Sequence, residues 1–419
     1  MRILIATTIL ITALFAQVDW YGYYEAEADY FSLPDNQFYF GYHKFRLDLD
    51  SAPNDRIRVS ANIVSKYYDG ASTFNFMEFI DQTYWPELPV IDKFGNLVID
   101  SLDMPLTDVL DELPYQLSDT LFLDNIFLEF HHDRFDLTLG RQQIPSGVGY
   151  AWNPTDLFNT KDMMDPTYED TGVPATRIDV PFGLSTTFTG ILQLKDTWDN
   201  TTQYYQAKTG LGNFDLSLIY GRFNYSETSL KAILIDSLGQ FGLSPGAKIP
   251  IPDTQTRTRE LFGFNAEGEL FGLGARAELA VNRLDYDSDS LKYEFIIGGD
   301  YTFDNSLYLL GEFYHNDFGV KVDDTEFDDY LIFLAGQRKS LNQNYFFLMA
   351  MYPLTDLLSG SLFGIANLDD GSLAINPQLT YNIFEDVELS LLVSVFVGDD
   401  RDEFGYQSAG LRLRLRAYF

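Results

Sequence analysis

The last stretch of the chain, Gly410 to Phe419, reads Gly-Leu-Arg-Leu-Arg-Leu-Arg-Ala-Tyr-Phe, and it leaves few choices about how the chain folds. Successive side chains of a strand point to opposite faces. Leu411, Leu413, Leu415, Ala417 and Phe419 therefore share one face, and Arg412, Arg414, Arg416 and Tyr418 share the other. One face is hydrocarbon and the other is a ladder of cations. A soluble sandwich could bury the leucines, but a strand of this kind also suits a sheet with lipid outside and water inside, the arrangement of a transmembrane β-barrel. What decides between them is whether the rest of the chain repeats the pattern.

Short alternating segments separated by turn residues recur from Asp19 onward, the signature of barrel strands. Trp20 to Phe31 and Phe38 to Leu49 form a first pair, and Ile57 to Tyr67 follows a Ser51-Ala52-Pro53-Asn54-Asp55 turn. In that third segment Ile57, Val59, Ala61, Ile63 and Tyr67 take one face, and Arg56, Arg58, Asn62 and Lys66 the other. Further candidates are Leu121 to His131, Phe135 to Gln142, Ala175 to Pro181, Leu184 to Lys195, Gln203 to Leu211, Phe214 to Phe223, Arg257 to Leu270, Leu273 to Leu284, Leu291 to Phe303 and Ser306 to His315. Asp329 to Lys339, Tyr345 to Tyr352, Leu358 to Leu368, Leu373 to Ile383, Val387 to Val397 and Tyr406 to Phe419 complete the set. The count is nineteen, one too many for a barrel with both termini on the same side. Eighteen strands is the expectation and sixteen the alternative; either encloses a water-filled interior.

Two stretches interrupt the alternation. Residues 69–119 hold Pro86, Pro89, Pro105 and Pro114, many carboxylates and a single lysine, Lys93; residues 224–256 hold Pro245, Pro250 and Pro252. In a barrel both are long extracellular loops, and part of the first could fold inward as a plug. At the start, Met1-Arg2, the apolar run Ile3 to Phe15 and small Ala16 have the form of a secretory signal peptide over residues 1–16, too short to span a bilayer as a helix. Beyond it no run approaches the ~18 apolar residues of a membrane helix. A chain that crosses a membrane without such a helix must close its backbone hydrogen bonds in a barrel. The aromatic content, 16% with 27 Tyr and 35 Phe, suits girdles at two membrane interfaces.

Cysteine is absent, which excludes disulfides, thiolate zinc sites, iron–sulfur sites and covalent haem. A formal charge of -34 argues against nucleic acid as a partner. Asp285-x-Asp287-x-Asp289 opens like a calcium loop, but Ser290 stands at its sixth position and Ile296 at its twelfth, so the EF-hand template fails. The acidic clusters at Asp323 to Asp329 and Asp399 to Glu403 read as solvated loop charge, with weak divalent bridging to lipopolysaccharide phosphates as the other option. No metal or other cofactor is expected. The four histidines, His43, His131, His132 and His315, sit in no nucleophile motif, and no Gly-x-Ser-x-Gly elbow is present, so an enzyme is not expected.

Two sets of residues are candidates for function. The first is a basic lumen wall: Arg412, Arg414 and Arg416, with Arg257, Arg259 and Arg276 and with Lys44 and Arg46 at inward positions. A ring of arginines favours anions. Asp48, Glu267, Glu269 and Glu278 also point inward, so cross-strand ion pairing is the competing account. The second is the block Gly140-Arg141-Gln142 through Asn153-Pro154-Thr155-Asp156, whose glycines, prolines and polar residues end a strand and cannot lie against lipid.

Two resemblances bear on these. A terminal strand closing on Tyr418 and Phe419 resembles the C-terminal assembly signal of Gram-negative outer-membrane barrels. The Gly-Arg-Gln strand end leading to Asn-Pro-x-Asp resembles a block of large porin-like outer-membrane barrels. That resemblance implies an inward-folded loop over residues 143–172, with Arg141, Gln142, Asn153 and Asp156 at a constriction, and Ser146 standing where such blocks often carry a bulky aromatic. It implies an outer-membrane porin passing small hydrophilic solutes, with lipid, lipopolysaccharide and further copies of the chain as partners. The alternatives are a sleeve or export conduit for a polysaccharide or a periplasmic partner, and a surface adhesin or structural barrel.

Overall fold

The computed structural model describes residues 18–34, 36–75, 114–159, 161, 169–226, 256–285, 287–325, 329, 333, 338–399, 401–405 and 409–419. The segment read as a signal peptide and most of residues 69–119 and 224–256 lie outside them. The strands are β1 (Val18–Ser32), β2 (Gln37–Asn54), β3 (Ile57–Gly70), β4 (Thr73–Asn75), β5 (Pro114–Gln116), β6 (Thr120–His132), β7 (Phe135–Gln142), β8 (Val173–Phe182), β9 (Thr186–Gln193) and β10 (Thr202–Leu211). They continue as β11 (Phe214–Ser226), β12 (Thr256–Leu270), β13 (Leu273–Leu284), β14 (Asp287–Thr302), β15 (Tyr308–Asn316), β16 (Asn344–Pro353), β17 (Leu358–Asn367), β18 (Leu373–Phe384), β19 (Val387–Val397) and β20 (Ala409–Tyr418).

Eighteen of these form one antiparallel sheet in which each strand pairs with its neighbours in sequence, and β20 pairs with β1 to close it. The small β4–β5 pair stands apart at the base of the 69–119 loop. Closure removes the free edges that an open sheet exposes. One end carries turns of two to five residues, such as His132 to Phe135 and Leu211 to Phe214, together with both chain ends; the long connections are at the other end. This asymmetry is that of outer-membrane barrels, with short turns in the periplasm and long loops outside.

The faces follow the alternation. On β20, Leu411 and Leu413 are 43% and 44% exposed on the outside, while Arg414, the next residue along, is 5% exposed inside. The terminal Phe419 ring lies outside against Trp20 and Phe45, at 6.1 and 5.6 Å between centroids.

One of the nineteen expected strands, Asp329 to Lys339, adds no strand to the sheet, in which β15 pairs directly with β16. Asp329 to Lys339 belongs to the connection between β15 and β16, where Asp329 and Phe333 are helical. Arg338 pairs with Asp329 at 2.7 Å, and Lys339 Nζ donates to the carbonyl of Asn153 at 2.9 Å. Removing this segment gives the even count.

Candidate functional site

The lumen is shaped by the connection between β7 and β8. Gly140 ends the free run of β7 with φ +128°, and a Cβ there would meet the carbonyl oxygen of Ile126 at 2.3 Å. No other residue fits that approach without moving the backbone. On the neighbouring β6 the register against β3 shifts between Asn62 and Ile63, so that Asp124 is an extra residue in the ladder. Such a bulge re-aims side chains, and here Asp124 and Asn125 are both buried on the lumen side. Asp124 then holds both limbs of the loop: its carbonyl accepts from Arg141 Nε at 2.8 Å and its Oδ1 from the Gly172 amide at 3.0 Å.

From there the chain crosses to the opposite wall. Two carboxylates that point inward from distant strands receive it. Glu312 of β15 accepts the amides of Tyr150, Ala151 and Trp152 at 2.7, 2.9 and 3.1 Å. Glu278 of β13 accepts the amides of Val148 and Thr155 at 2.7 and 2.5 Å and the Thr155 hydroxyl at 2.7 Å. Amide donation to an ionised acceptor is a strong form of hydrogen bond, and each carboxylate satisfies several loop donors at once. Gly147, at φ +88°, permits the approach: a Cβ there would lie 2.8 Å from Glu278 Oε2.

Aromatic packing completes the junction. Trp152 stacks on Tyr314 with centroids 4.8 Å apart, and Tyr150 on Phe347 at 5.5 Å. Ala151 and Trp152 join the inner faces of β14 to β18, with Phe404 of the β19–β20 loop in the same cluster. Ile144, with Leu157 and Phe158, packs on the inner faces of β8 to β13. Apolar inward positions, unusual in a water-filled barrel, are thus covered by loop side chains.

The remaining wall, β19, β20, β1, β2 and β3, is charged. Arg412 pairs with Asp29 at 2.9 Å, Arg414 with Glu27 at 2.5 Å and Arg416 with Glu25 at 2.5 Å, each at a directly opposed register position across the closing seam. Tyr42 donates to Glu25 at 2.7 Å and to Glu27 at 3.1 Å. On β2, Arg46 holds Asp48 and, with Lys44, the loop residue Glu169. Burial would raise the Glu169 carboxyl, but Lys44 and Arg46 outweigh it and hold it below the usual glutamate range.

The sequence-derived candidates divide between these regions. Arg412, Arg414, Arg416 and Arg46 lie together on the charged wall, Arg259 pairs with Glu294, and Arg276 pairs with Asp300. Arg257 stands opposite Tyr225 in the β11–β12 ladder. Arg141 braces the bulge, and Gln142 is buried in the wall, donating to the Ala175 carbonyl at 3.2 Å. Asn153 offers its carbonyl to Lys339. Asp156 Oδ1 accepts the amides of Phe158 and Asn159 at 2.8 and 3.0 Å, and burial pushes its carboxyl up to about 6. The Ser146 hydroxyl pairs with that of Tyr204 at 2.9 Å, where both are buried. Sequence reasoning missed Glu312 and Glu169. A signal for Glu312 was present, since it is the one carboxylate among the apolar inward positions Leu310 and Tyr314.

No protein-family model matches the sequence, and no curated protein matches it. Solved structures do. Acinetobacter baumannii OccAB4 is similar at a TM-score of 0.54 and 8% identity, over 96% of this chain and 98% of that one. Pseudomonas aeruginosa OccK11 is similar at 0.52 and 9%, over 97% and 96%. Acinetobacter baumannii OccAB1 gives 0.51 and 9%, over 96% of each. At such identity the likeness is one of architecture, and the fold of this chain is that of the porin-like outer-membrane β-barrels.

Proposed function

We propose that the protein is an outer-membrane channel for passive, weakly selective diffusion of small hydrophilic solutes, not an enzyme. One observation carries this reading: the inward loop is bonded to one side of the barrel, and among its described residues only Glu169 is paired with the opposite, charged side. A loop so placed narrows a passage and gives it a polar wall, which is what a diffusion pore requires. A loop that only braced the outer rim would have no need of Glu278 and Glu312, which lie on strands far from its own. In this reading residues 1–16 are the secretion signal, residues 143–172 the constriction loop, and Tyr418-Phe419 the mark recognised during barrel assembly.

The pairing of Arg412, Arg414 and Arg416 with Asp29, Glu27 and Glu25 supports weak rather than strong charge preference, since each of these three cations faces its own anion. Single-channel recording of the purified protein in a planar bilayer under a salt gradient tests the proposal. A steady open conductance with a small reversal potential is expected. A silent barrel would overturn it and favour a sleeve for a partner.

A further inference from the structure

β16, β17 and β18 carry no Asp, Glu, Lys or Arg, in a chain whose formal charge is -34. Elsewhere in the barrel only β9 does the same. Three adjacent strands thus give the lumen one sector without charge. Toward the long connections the inward face of this sector is apolar and meets the inward loop, as in Phe347, Phe363 and Ile365. Toward the short turns it changes. Tyr308, Met351, Ser361 and Gln378 stand opposite one another across β15 to β18, and Ser359, Thr380 and Ser390 form the next row across β17 to β19. By alternation they share the face of Leu310, Met349, Phe363 and Leu392, which are buried inside the barrel. At about 4.8 Å per strand the first row runs about 14 Å around the wall.

Hydroxyl and amide side chains both donate and accept, and here that capacity is largely unspent. Among the described residues, the one side-chain hydrogen bond of the three serines, Gln378 and Thr380 is Gln378 Nε2 to Thr380 Oγ1, at 3.4 Å. None of these five is buried, so a solute in the lumen can reach them. Charge at the borders is paired. Arg414, opposite Ser390, holds Glu27 at 2.5 Å, Glu388 at the foot of β19 lies 4.0 Å from Arg416, and beyond Tyr308 Arg276 holds Asp300. An open aromatic ring stands at the head of the first row. Tyr150 of the inward loop lies on Phe347 at 5.5 Å and is 37% exposed, where Trp152 is 3% exposed. Tyr308 packs against the same cluster, and its hydroxyl is close enough to that of Tyr150 to interact with it electrostatically.

Uncharged donors and acceptors beside an open ring suit a solute that carries hydroxyls, no charge, and a C–H face to lie on the ring. An ion would give up hydration here for groups that offer no counter-charge. We infer that this strip, with Tyr150 and Tyr308 at its head and Ser361, Gln378, Thr380 and Ser390 along it, is a binding site for neutral sugars, short oligosaccharides included. It gives the proposed channel a solute class and rests on that reading for its role in transport.

Maltotriose is the probe, and saturation-transfer NMR on the full-length protein in a sugar-free detergent reads its binding without any need for conductance. The wild type is expected to bind it, and succinate at equal concentration is expected not to displace it. Gln378→Leu with Thr380→Val keeps the shape of the wall and removes its polar atoms; about tenfold weaker binding is expected. Tyr150→Ala should weaken binding about fivefold, and Tyr150→Phe, which keeps the ring, should bind as the wild type does. The wall variant lies outside the loop and so serves where Tyr150→Ala disturbs it. No binding by the wild type, displacement by succinate, or wild-type affinity in either the wall variant or Tyr150→Ala would overturn the inference. A barrel silent in bilayers that binds in this pattern would remove the channel reading and keep the site; an open channel without it would do the reverse.

Discussion

The two sides of the lumen are built on opposite principles. Along β8 to β18 a band of apolar inward positions, set beside polar ones such as Arg259 and Glu294, is covered by the loop side chains Ile144, Ala151, Trp152 and Leu157. Along β19 to β3 the inward positions are charged, and side chains of the wall satisfy one another, as in Arg414 with Glu27 and Glu25. The first side is a core in the ordinary sense, held by burial. The second is a polar surface, held by paired charge. The difference shows how one strand pattern yields both an anchor for the loop and, in the channel reading, a wall for the passage: the residue type at the inward positions decides which wall the loop adheres to.

Breaking the apolar side should have the largest effect. Glu312→Ala leaves three loop amides without their acceptor, at about 1–3 kcal/mol for each buried donor, and Trp152→Ala removes a buried aromatic worth about 3–5 kcal/mol. The double variant is expected to release the loop and to raise single-channel conductance several-fold, whereas Glu312→Gln, which keeps an acceptor oxygen, should change it little.

On the charged side the effect should fall on stability and selectivity instead. Arg414→Gln takes the nearest cation from Glu27, which is nearly fully buried and keeps only Arg412 at 3.4 Å, and removing one partner of a buried pair costs about 3–5 kcal/mol. A lower thermal midpoint by circular dichroism is expected. With Arg412 and Arg416 also replaced by Gln, three lumen carboxylates lose their counter-ions, and the reversal potential should move toward cation preference. An unmoved potential would mean these pairs lie off the permeation path.

The smallest effect is one of pH. Burial raises the Asp156 carboxyl to about 6 and, in the β19–β20 loop, that of Glu403 to about 8. Lys339 and Asn159 face Asp156; Tyr345, Asn367 and Asp370 face Glu403. A carboxyl raised in the folded state contributes most to stability below its free value near 4, and that contribution is lost as pH climbs through the raised value. Both inward segments should therefore be held more firmly at pH 5 than at pH 9, seen as lower open-channel noise. Asp156→Asn should erase the step near 6, and Glu403→Gln the one near 8.

Much of the barrel was legible in the sequence because period-two alternation is imposed by the backbone itself, so every strand writes it. Asp329 to Lys339 misled because its sequence meets the same local test, while a partner of its last residue, the Asn153 carbonyl that Lys339 reaches, lies far away in the chain. The loop block was legible as a strand end that had to leave the lipid. Its anchors were not: Trp152 and Glu312 meet across 160 positions, and nothing local to either states the pairing. The Asp124 bulge was hidden for a related reason, since it exists only relative to the register of β3.

The seam between β1 and β20 joins the two ends of the chain, with Glu25 and Arg416 separated by 391 positions. Bringing such distant points together has an entropic cost of about 5 kcal/mol by the logarithmic loop-closure rule. The seam also carries its own address. A slip by one residue would turn the arginines toward lipid, and a slip by two would leave Arg416 or Arg412 facing no acid on β1. The row of opposed charges at the chain's end thus acts as a key cut for a single lock, admitting the last strand in one alignment and making closure of the ring a test that only a correctly laid sheet can pass.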